Sequence, residues 1–137
     1  MRVLGLDHGS ARCGCAISDP TGTLATQIEP VLRPETKAGI KQLRELVELR
    51  EVDRVIVGLP LSLSGADSDQ TREARAFADK LRSALGPKVP VELFDERFTT
   101  TIAASSEGRE SEDSRAAAVL LDDWMARHGH DYWDRDE

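Results

Sequence analysis

The stretch that decides the fold is RVLGLDHGSARCGCAIS, residues 2 to 18. Residues 2 to 7 and 13 to 18 are short apolar runs, and the segment HGSAR between them has the small and polar residues that separate strands. This pattern predicts a β-hairpin. Its first strand ends in Asp7, so the sequence predicts a carboxylate at an edge of the sheet, where open α/β sheets usually bind their ligands.

Further along the chain, the apolar pattern predicts three more strands. Residues 24 to 32 follow a Pro-Thr-Gly turn and complete an antiparallel meander. Residues 54 to 59, RVIVGL, are almost uniformly apolar, which is typical of a parallel strand covered on both faces. Residues 89 to 94 form the fifth strand. With the intervening helices, this order predicts an α/β fold with a five-stranded mixed sheet and helices on both faces.

Two of the helices are predicted from apolar residues at helical spacing. Between Glu35 and Arg50 the apolar positions follow one face of an amphipathic helix, and charged residues fill the other face. Asp67, three residues before Gln70, resembles the start of a capping box and predicts where the second helix begins. That helix is expected to stop at the Gly-Pro pair after Leu85.

The length of 137 residues fits one domain, which we assign to residues 1 to 128. Residues 129 to 137 form an acidic tail that we expect to be flexible. SSEGRESE, residues 105 to 112, has loop composition and is a candidate mobile loop. No apolar run approaches the roughly 20 residues that cross a bilayer, and the N-terminus lacks the layout of a signal peptide. We therefore expect no membrane partner.

The chain has two cysteines, Cys13 and Cys15, whose spacing places both side chains on one face of a strand. They are too far apart to bridge comfortably, and two thiols alone cannot complete a structural zinc site. We interpret them as small apolar core residues in a reducing compartment, which predicts a cytoplasmic protein.

The formal net charge of −7 argues against a protein that coats nucleic acid through bulk positive charge. Most of this charge lies in residues 105 to 137, which hold 10 acidic and 4 basic residues, so that the rest of the chain is nearly neutral. If only a few basic groups of the main body, such as Arg12, Arg72, Arg75 and Arg97, contact phosphates, we expect the affinity for nucleic acid to depend only weakly on salt.

A second pair of acids follows the fifth strand. Asp95 and Glu96 are adjacent and point to opposite sides of an extended backbone, so at most one of them faces a site that contains Asp7. The pattern alone does not choose between these two acids. His8 neighbours Asp7 and is expected to point to the other face, as a turn or surface residue.

A third acid lies in line with the apolar face of the last helix, which extends to about Arg127. Asp113 shares that face, by helical spacing, with four apolar residues, Ala117, Leu120, Leu121 and Trp124. An acid in the first turn also favours the helix dipole, but Glu112 could do that from the solvent side. Asp113 is therefore a candidate site residue.

Three carboxylates that lie close together stay ionised at neutral pH only beside compensating positive charge. Hard oxygen ligands of this kind suit Mg²⁺ or Mn²⁺. Two such ions about 4 Å apart can activate a water and stabilise the leaving oxygen of a phosphodiester. The reaction class that this predicts is metal-assisted hydrolysis.

Four motifs in order resemble one known family: GLDHGSARCGCAISD (5 to 19), VGLPLSLSG (57 to 65), DERFTT (95 to 100) and EDSRAAAVLL (112 to 121). Together they resemble the YqgF family of Holliday junction resolvases, also called pre-16S rRNA nucleases. The match is collinear, spans nearly the whole chain and agrees in length.

The resemblance implies an RNase H-like fold and a divalent-metal-dependent endonuclease that matures the 5′ end of 16S ribosomal RNA. By position in the motifs, Asp7, Glu96 and Asp113 are implied to be the catalytic, metal-binding acids. The basic and polar residues Arg12, Arg97 and Thr100 are implied to support them or to bind substrate.

Several alternatives stay open at this point. The substrate is precursor ribosomal RNA or branched DNA, and the protein is a monomer or a homodimer. The acidic segment SSEGRESE stands where the family usually has a basic loop, which weakens the case for tight nucleic-acid binding. A non-catalytic ribosome-assembly module is therefore a further hypothesis. The run GLDHGS is also similar to the phosphate loop of actin-like kinases, but these enzymes clamp a nucleotide between two domains, and 137 residues supply one.

Overall fold

The computed structural model describes residues 1–9, 11–60, 68–95 and 112–128. For residues 112 and 113 it describes the backbone but not the side chains. Five strands and three helices lie in these ranges. In chain order they are β1 (Val3–Asp7), β2 (Arg12–Ser18), β3 (Ala25–Leu32), α1 (Lys37–Leu49), β4 (Arg54–Leu59), α2 (Asp69–Leu85), β5 (Val91–Asp95) and α3 (Glu112–His128). Each predicted strand and helix is present, with small shifts at the ends.

The strands form one mixed sheet in the order β3-β2-β1-β4-β5. β1, β2 and β3 pair antiparallel, which confirms the predicted meander. β4 pairs parallel with both β1 and β5. All but the first residue of β4 are buried, as expected for a strand with neighbours on both edges and helices on both faces.

The alternation of side chains along β1 divides the core between the two faces of the sheet. Leu4 and Leu6 pack on one face in a cluster with apolar residues of α1 and α2. Val3 lies on the opposite face, in a cluster with the apolar stripe of α3. Ala117, Leu120, Leu121 and Trp124 of that stripe are all buried, as predicted. The expected arrangement, with helices on both faces of the sheet, is confirmed.

The second helix begins one residue later than predicted. Ser68, not Asp67, is the N-cap: its hydroxyl accepts a hydrogen bond from the backbone N–H of Thr71, and the Thr71 hydroxyl accepts one from the N–H of Ser68. This reciprocal pair is a capping box built from two hydroxyls. The Thr71 hydroxyl also donates to the carbonyl oxygen of Pro60 at 2.7 Å, which ties the start of α2 to the end of β4.

Cys13 and Cys15 are both buried and are not joined by a disulfide, in agreement with their predicted place in the core. In the described part of the chain, no helix has the length and apolar character of a membrane span. Residues 105–111 of the candidate loop (105–112) and the acidic tail at 129–137 fall outside the described residues. The last residue of the predicted loop, Glu112, is instead the first residue of α3. The assignment of one domain and one tail stays a prediction.

Candidate active site

The three parallel strands end at one edge of the sheet. β1 ends at Asp7, β4 at Leu59 and β5 at Asp95, and the pairing register keeps these ends level, with Leu6 beside Val57 and Leu59 beside Asp95. The carboxyl edge of parallel strands is where open α/β sheets bind their ligands. Asp7, which is half-buried, therefore lies at the edge where the sequence predicted a site.

Asp7 belongs to the face of the sheet that α3 covers. It shares this face with Val3 and Gly5 by strand alternation, and Val3 packs in the α3 cluster. Gly5 marks the closest approach of the helix: a Cβ atom added there would lie 3.0 Å from the Cβ of Leu121 and 3.3 Å from the carbonyl oxygen of Ala117. The absence of a side chain at Gly5 thus lets α3 lie directly on β1, beside Asp7.

Ser114 fixes the first turn of α3 to the neighbouring strands. Its buried hydroxyl donates to the carbonyl oxygen of Ile28 in β3 at 2.7 Å and accepts from the backbone N–H of Cys15 in β2 at 3.3 Å. Cys15 pairs with Leu6, and the preceding Gly14 pairs with Asp7. The start of α3 is therefore anchored at the level at which β1 ends, and Asp113 is the residue before this anchor.

Of the remaining predicted site residues, only Arg12 has a described side chain. Arg12 is exposed at the start of β2, which runs antiparallel to β1, so it lies at the same edge of the sheet as Asp7. Glu96, Arg97 and Thr100 fall outside the described residues, as does the side chain of Asp113. Among the described side chains, no three His, Cys, Asp or Glu residues lie close enough together to hold a metal ion. Of the three predicted metal-binding acids, only Asp7 has a described side chain.

His8 differs from its predicted role as a turn or surface residue. It does point away from the α3 face, but its side chain is only 3% exposed and stacks on Phe77 of α2, with 4.7 Å between ring centroids. Its Nε2 lies 2.8 Å from Oε2 of Glu35, the residue before the N-cap Thr36 of α1. The residue after Asp7 thus ties the edge of the sheet to α1 and α2.

No signal in the sequence indicated the contact between His8 and Glu35, because 27 positions separate them and neither belongs to a regular pattern. The turn after His8 is also tight. A Cβ atom added at Gly9 would lie 2.8 Å from the carbonyl oxygen of Arg12, closer than real Cβ atoms come to a backbone atom. Gly9 therefore permits the close turn between Asp7 and β2.

Comparison with protein families gives a match over nearly the whole chain. A family model described as "RuvX: Holliday junction resolvase" matches residues 1–127. A "Putative pre-16S rRNA nuclease" of Koribacter versatilis (strain Ellin345) is 39% identical over 140 residues, which cover 95% of this chain and 90% of that protein. A protein of the same name from Anaeromyxobacter sp. (strain K) is 39% identical over 136 residues, or 93% of this chain and 98% of the relative.

Two solved structures share this fold over nearly the whole chain. "T. thermophilus RuvC in complex with Holliday junction substrate" superposes with a TM-score of 0.58 at 16% identity, covering 94% of this chain and 96% of that one. The Holliday junction resolvase of fowlpox virus gives a TM-score of 0.55 at 13% identity, with 93% and 99% covered. At these identities the likeness concerns the fold, and it confirms the RNase H-like architecture implied by the sequence motifs.

Proposed function

Because the chain belongs to the RuvX Holliday junction resolvase family, we propose that it is a divalent-metal-dependent endonuclease that processes the 5′ end of pre-16S ribosomal RNA. Hydrolysis of phosphodiester bonds fits both the family and the fold. The names of the relatives, which are about 39% identical, favour precursor ribosomal RNA as the substrate. The family description supports branched DNA as the second candidate.

One observation carries the proposal: Asp7 ends the central strand β1 on the face that α3 covers, and Ser114 anchors the start of α3 at the same level. This arrangement brings the backbone of Asp113 to the edge of the sheet that holds Asp7. If Asp7 had only a structural role, the first turn of a helix would not be needed beside it.

We assign the metal to Asp7, Glu96 and Asp113, whose carboxylate oxygens are the ligands that Mg²⁺ and Mn²⁺ prefer. When bound, the metal supplies an activated water and stabilises the leaving oxygen of the phosphodiester. The protein's own part is to hold these acids at one edge and to place positive charge nearby. Arg12, exposed at that edge, is suited to contact a substrate phosphate.

The choice of Glu96 over Asp95 has support in the pattern of β5. Val91 and Leu93 pack with the core of α1 and α2, whereas Phe94 packs with α3. Alternation therefore places Asp95 on the face opposite to Asp7. We assign the catalytic role to Glu96 and supporting or substrate-binding roles to Arg97 and Thr100, by their positions in the DERFTT motif.

The two cysteines are buried and not joined by a disulfide, which supports a cytoplasmic location, where thiols stay reduced. We propose ribosomal RNA precursors as the main partner there. Whether the active form is a monomer or a homodimer can be measured by light scattering of the purified protein.

The decisive experiment compares the proposed metal ligands Asp7 and Glu96 with the neighbouring acid Asp95. The full chain is incubated with end-labelled precursor 16S RNA and with a four-way DNA junction, in Mg²⁺, Mn²⁺ or EDTA. We expect metal-dependent cleavage that falls by more than about 100-fold in Asp7→Asn and Glu96→Gln, since loss of residues that merely support metal ligands already costs about 10- to 100-fold. Asp95→Asn is the matched control and should retain cleavage.

The outcomes separate the candidate functions. Preferential cleavage of RNA supports rRNA processing, and preferential cleavage of the junction supports a resolvase. Cleavage that survives Asp7→Asn would place the activity elsewhere. No cleavage of either substrate in Mg²⁺ or Mn²⁺, with the protein folded by circular dichroism, would favour a non-catalytic assembly module.

A further inference from the structure

A groove of about 490 Å³ lies between α1 and α2, on the face of the sheet opposite to α3. Its lining is rich in basic side chains, which are Lys37, Lys41, Arg44 and Lys80. Three of them recur along α1 at positions i, i+4 and i+7, so they project from one side of that helix, and Lys80 faces them from α2. All four residues are exposed.

The charge of this groove opposes that of the whole chain. Four basic residues and one acid, Glu35, line it, whereas the chain carries a formal charge of −7. The carboxylate of Glu35 is engaged with His8 at 2.8 Å. Glu45 lies 4.0 Å from Lys41, but both side chains are more than 60% exposed, so this pair is weak and leaves Lys41 available to a ligand. Positive charge is thus concentrated at one place on an acidic protein.

The groove is connected to the candidate active site through Glu35. This residue lines the groove and contacts His8, which directly follows Asp7. Within the groove, the Nζ of Lys80 donates to the carbonyl oxygen of Glu35 at 3.3 Å and so joins the start of α1 to α2. One end of the basic groove therefore meets the edge of the sheet at which Asp7 lies.

A second groove, of about 810 Å³, provides a contrast on the other side of α1. It lies between α1 and β3, and its charged residues are Glu29, Glu45, Glu48 and Arg50. Although it is larger, three carboxylates against one guanidinium would repel a phosphate chain. Of these two grooves only the basic one is complementary to a nucleic acid.

We propose that the groove between α1 and α2 binds the phosphodiester backbone of the substrate strand as it leaves the active site. This inference rests on the proposed nuclease function for the identity of the strand, and it assigns to Lys37, Lys41, Arg44 and Lys80 the role of phosphate contacts. Such contacts position a strand without reading its sequence. The groove would thereby raise affinity for substrate without taking part in bond cleavage.

Binding and cleavage are measured separately, so that this proposal can fail independently of the proposed function. Lys41→Gln/Arg44→Gln removes one Lys and one Arg from the groove. The matched control, Arg50→Gln/Lys88→Gln, removes the same two residue types outside it. Affinity for fluorescein-labelled single-stranded RNA and for a four-way DNA junction is measured by anisotropy in EDTA, at several salt concentrations.

For a single strand, each phosphate contact makes the plot of log K against log salt concentration steeper by about 0.7. With 1 M salt as the reference, at which such contacts contribute little, one contact therefore raises the affinity at 0.1 M salt by about fivefold. The groove variant should therefore bind RNA about 25-fold more weakly than wild type, with a slope lower by about 1.4. Lys80→Gln, on the facing helix, should lose about fivefold. The control should stay close to wild type.

Cleavage by the groove variant should show a raised KM and an unchanged kcat, because the groove does not touch the reacting phosphate. Equal affinities of the groove variant and the control, or no binding of either probe by wild type, would overturn the groove as a phosphate site. Weakened binding by the groove variant without cleavage by wild type would instead retain the groove and reject the nuclease. A larger effect on the junction than on RNA would identify branched DNA as the strand that it holds.

Discussion

Gly5→Ala tests whether the contact between β1 and α3 positions the active site. The new Cβ atom would lie 3.0 Å from the Cβ of Leu121 and 3.3 Å from the carbonyl oxygen of Ala117. These distances are shorter than an ordinary van der Waals contact, so the helix must retreat by a few tenths of an ångström. Because both contacted atoms are fixed to the helix backbone, no change of rotamer can relieve the contact.

Overpacking of this kind costs about 1 to 3 kcal/mol. For a chain of this size each kcal/mol lowers Tm by about 4 °C, so we expect a loss of about 4 to 12 °C in a melt followed by circular dichroism. The same displacement moves the start of α3, with Asp113, away from Asp7. Since a misplacement of 1 Å can cost about 100-fold in rate, a shift of a few tenths of an ångström should lower cleavage by about 3- to 10-fold at a temperature where the variant is folded.

Gly86→Ala is the matched control for this substitution. No atom lies within 4 Å of a Cβ atom added at Gly86, but the residue has a φ of +77° at the end of α2, where a side chain is strained. The expected cost is again about 1 to 3 kcal/mol, without any movement of α3. Equal losses of cleavage in the two variants would refute a positioning role for the β1–α3 contact, and an unchanged Tm in Gly5→Ala would refute the contact itself.

Two further predictions concern stability. Ser114→Ala leaves the buried N–H of Cys15 and the part-buried carbonyl oxygen of Ile28 without this partner and should destabilise the protein by about 1 to 3 kcal/mol in urea denaturation. The exposed Ser83→Ala should be nearly neutral, and equal midpoints would contradict the anchor at Ser114. A hydrogen bond from the Thr21 hydroxyl, assisted by two backbone N–H groups of the same turn and opposed by desolvation, lowers the pKa of Asp19 to about 2 from its ordinary value of 3.8. The ionised form therefore adds a small stability that is present above pH 3.8 and lost as the pH falls towards 2, and Asp19→Asn should flatten the dependence of unfolding free energy on pH in this window. An equally steep dependence in the variant would show that other carboxylates dominate.

Local patterns were sufficient to predict most of the fold. The hairpin around HGSAR, the uniformly apolar run at 54–59 and the stripe that contains Trp124 each follow from a period of two or 3.6 residues, because burial on one face is repeated along the element. The place of Asp7 in the fold follows by the same means, since it ends a strand whose alternation assigns it a face. The start of α2 was missed by one residue because Asp67 and Ser68 are both good N-caps, and the hydroxyl of Thr71 decides between them.

Contacts between distant segments could not be predicted in this way. His8 is held by Glu35 and Phe77, which belong to different elements, so its burial depends on how α1 and α2 pack on the sheet. The basic groove has the same origin, because Lys80 joins the residues of α1 only after both helices are in place. The choice of Glu96 over Asp95 came from family resemblance, since adjacent residues at the end of a strand give no period to follow.

The opposite charges on the two flanks of α1 also affect how the protein meets a polyanion. Three acids lie in the groove towards β3 and four basic groups in the groove towards α2, so the helix separates regions of unlike potential. In the field of a nucleic acid such a separation produces a torque, which turns the basic flank forward while the molecules are still diffusing. A protein that is repelled by its net charge would in this way convert random collisions into encounters of one preferred orientation.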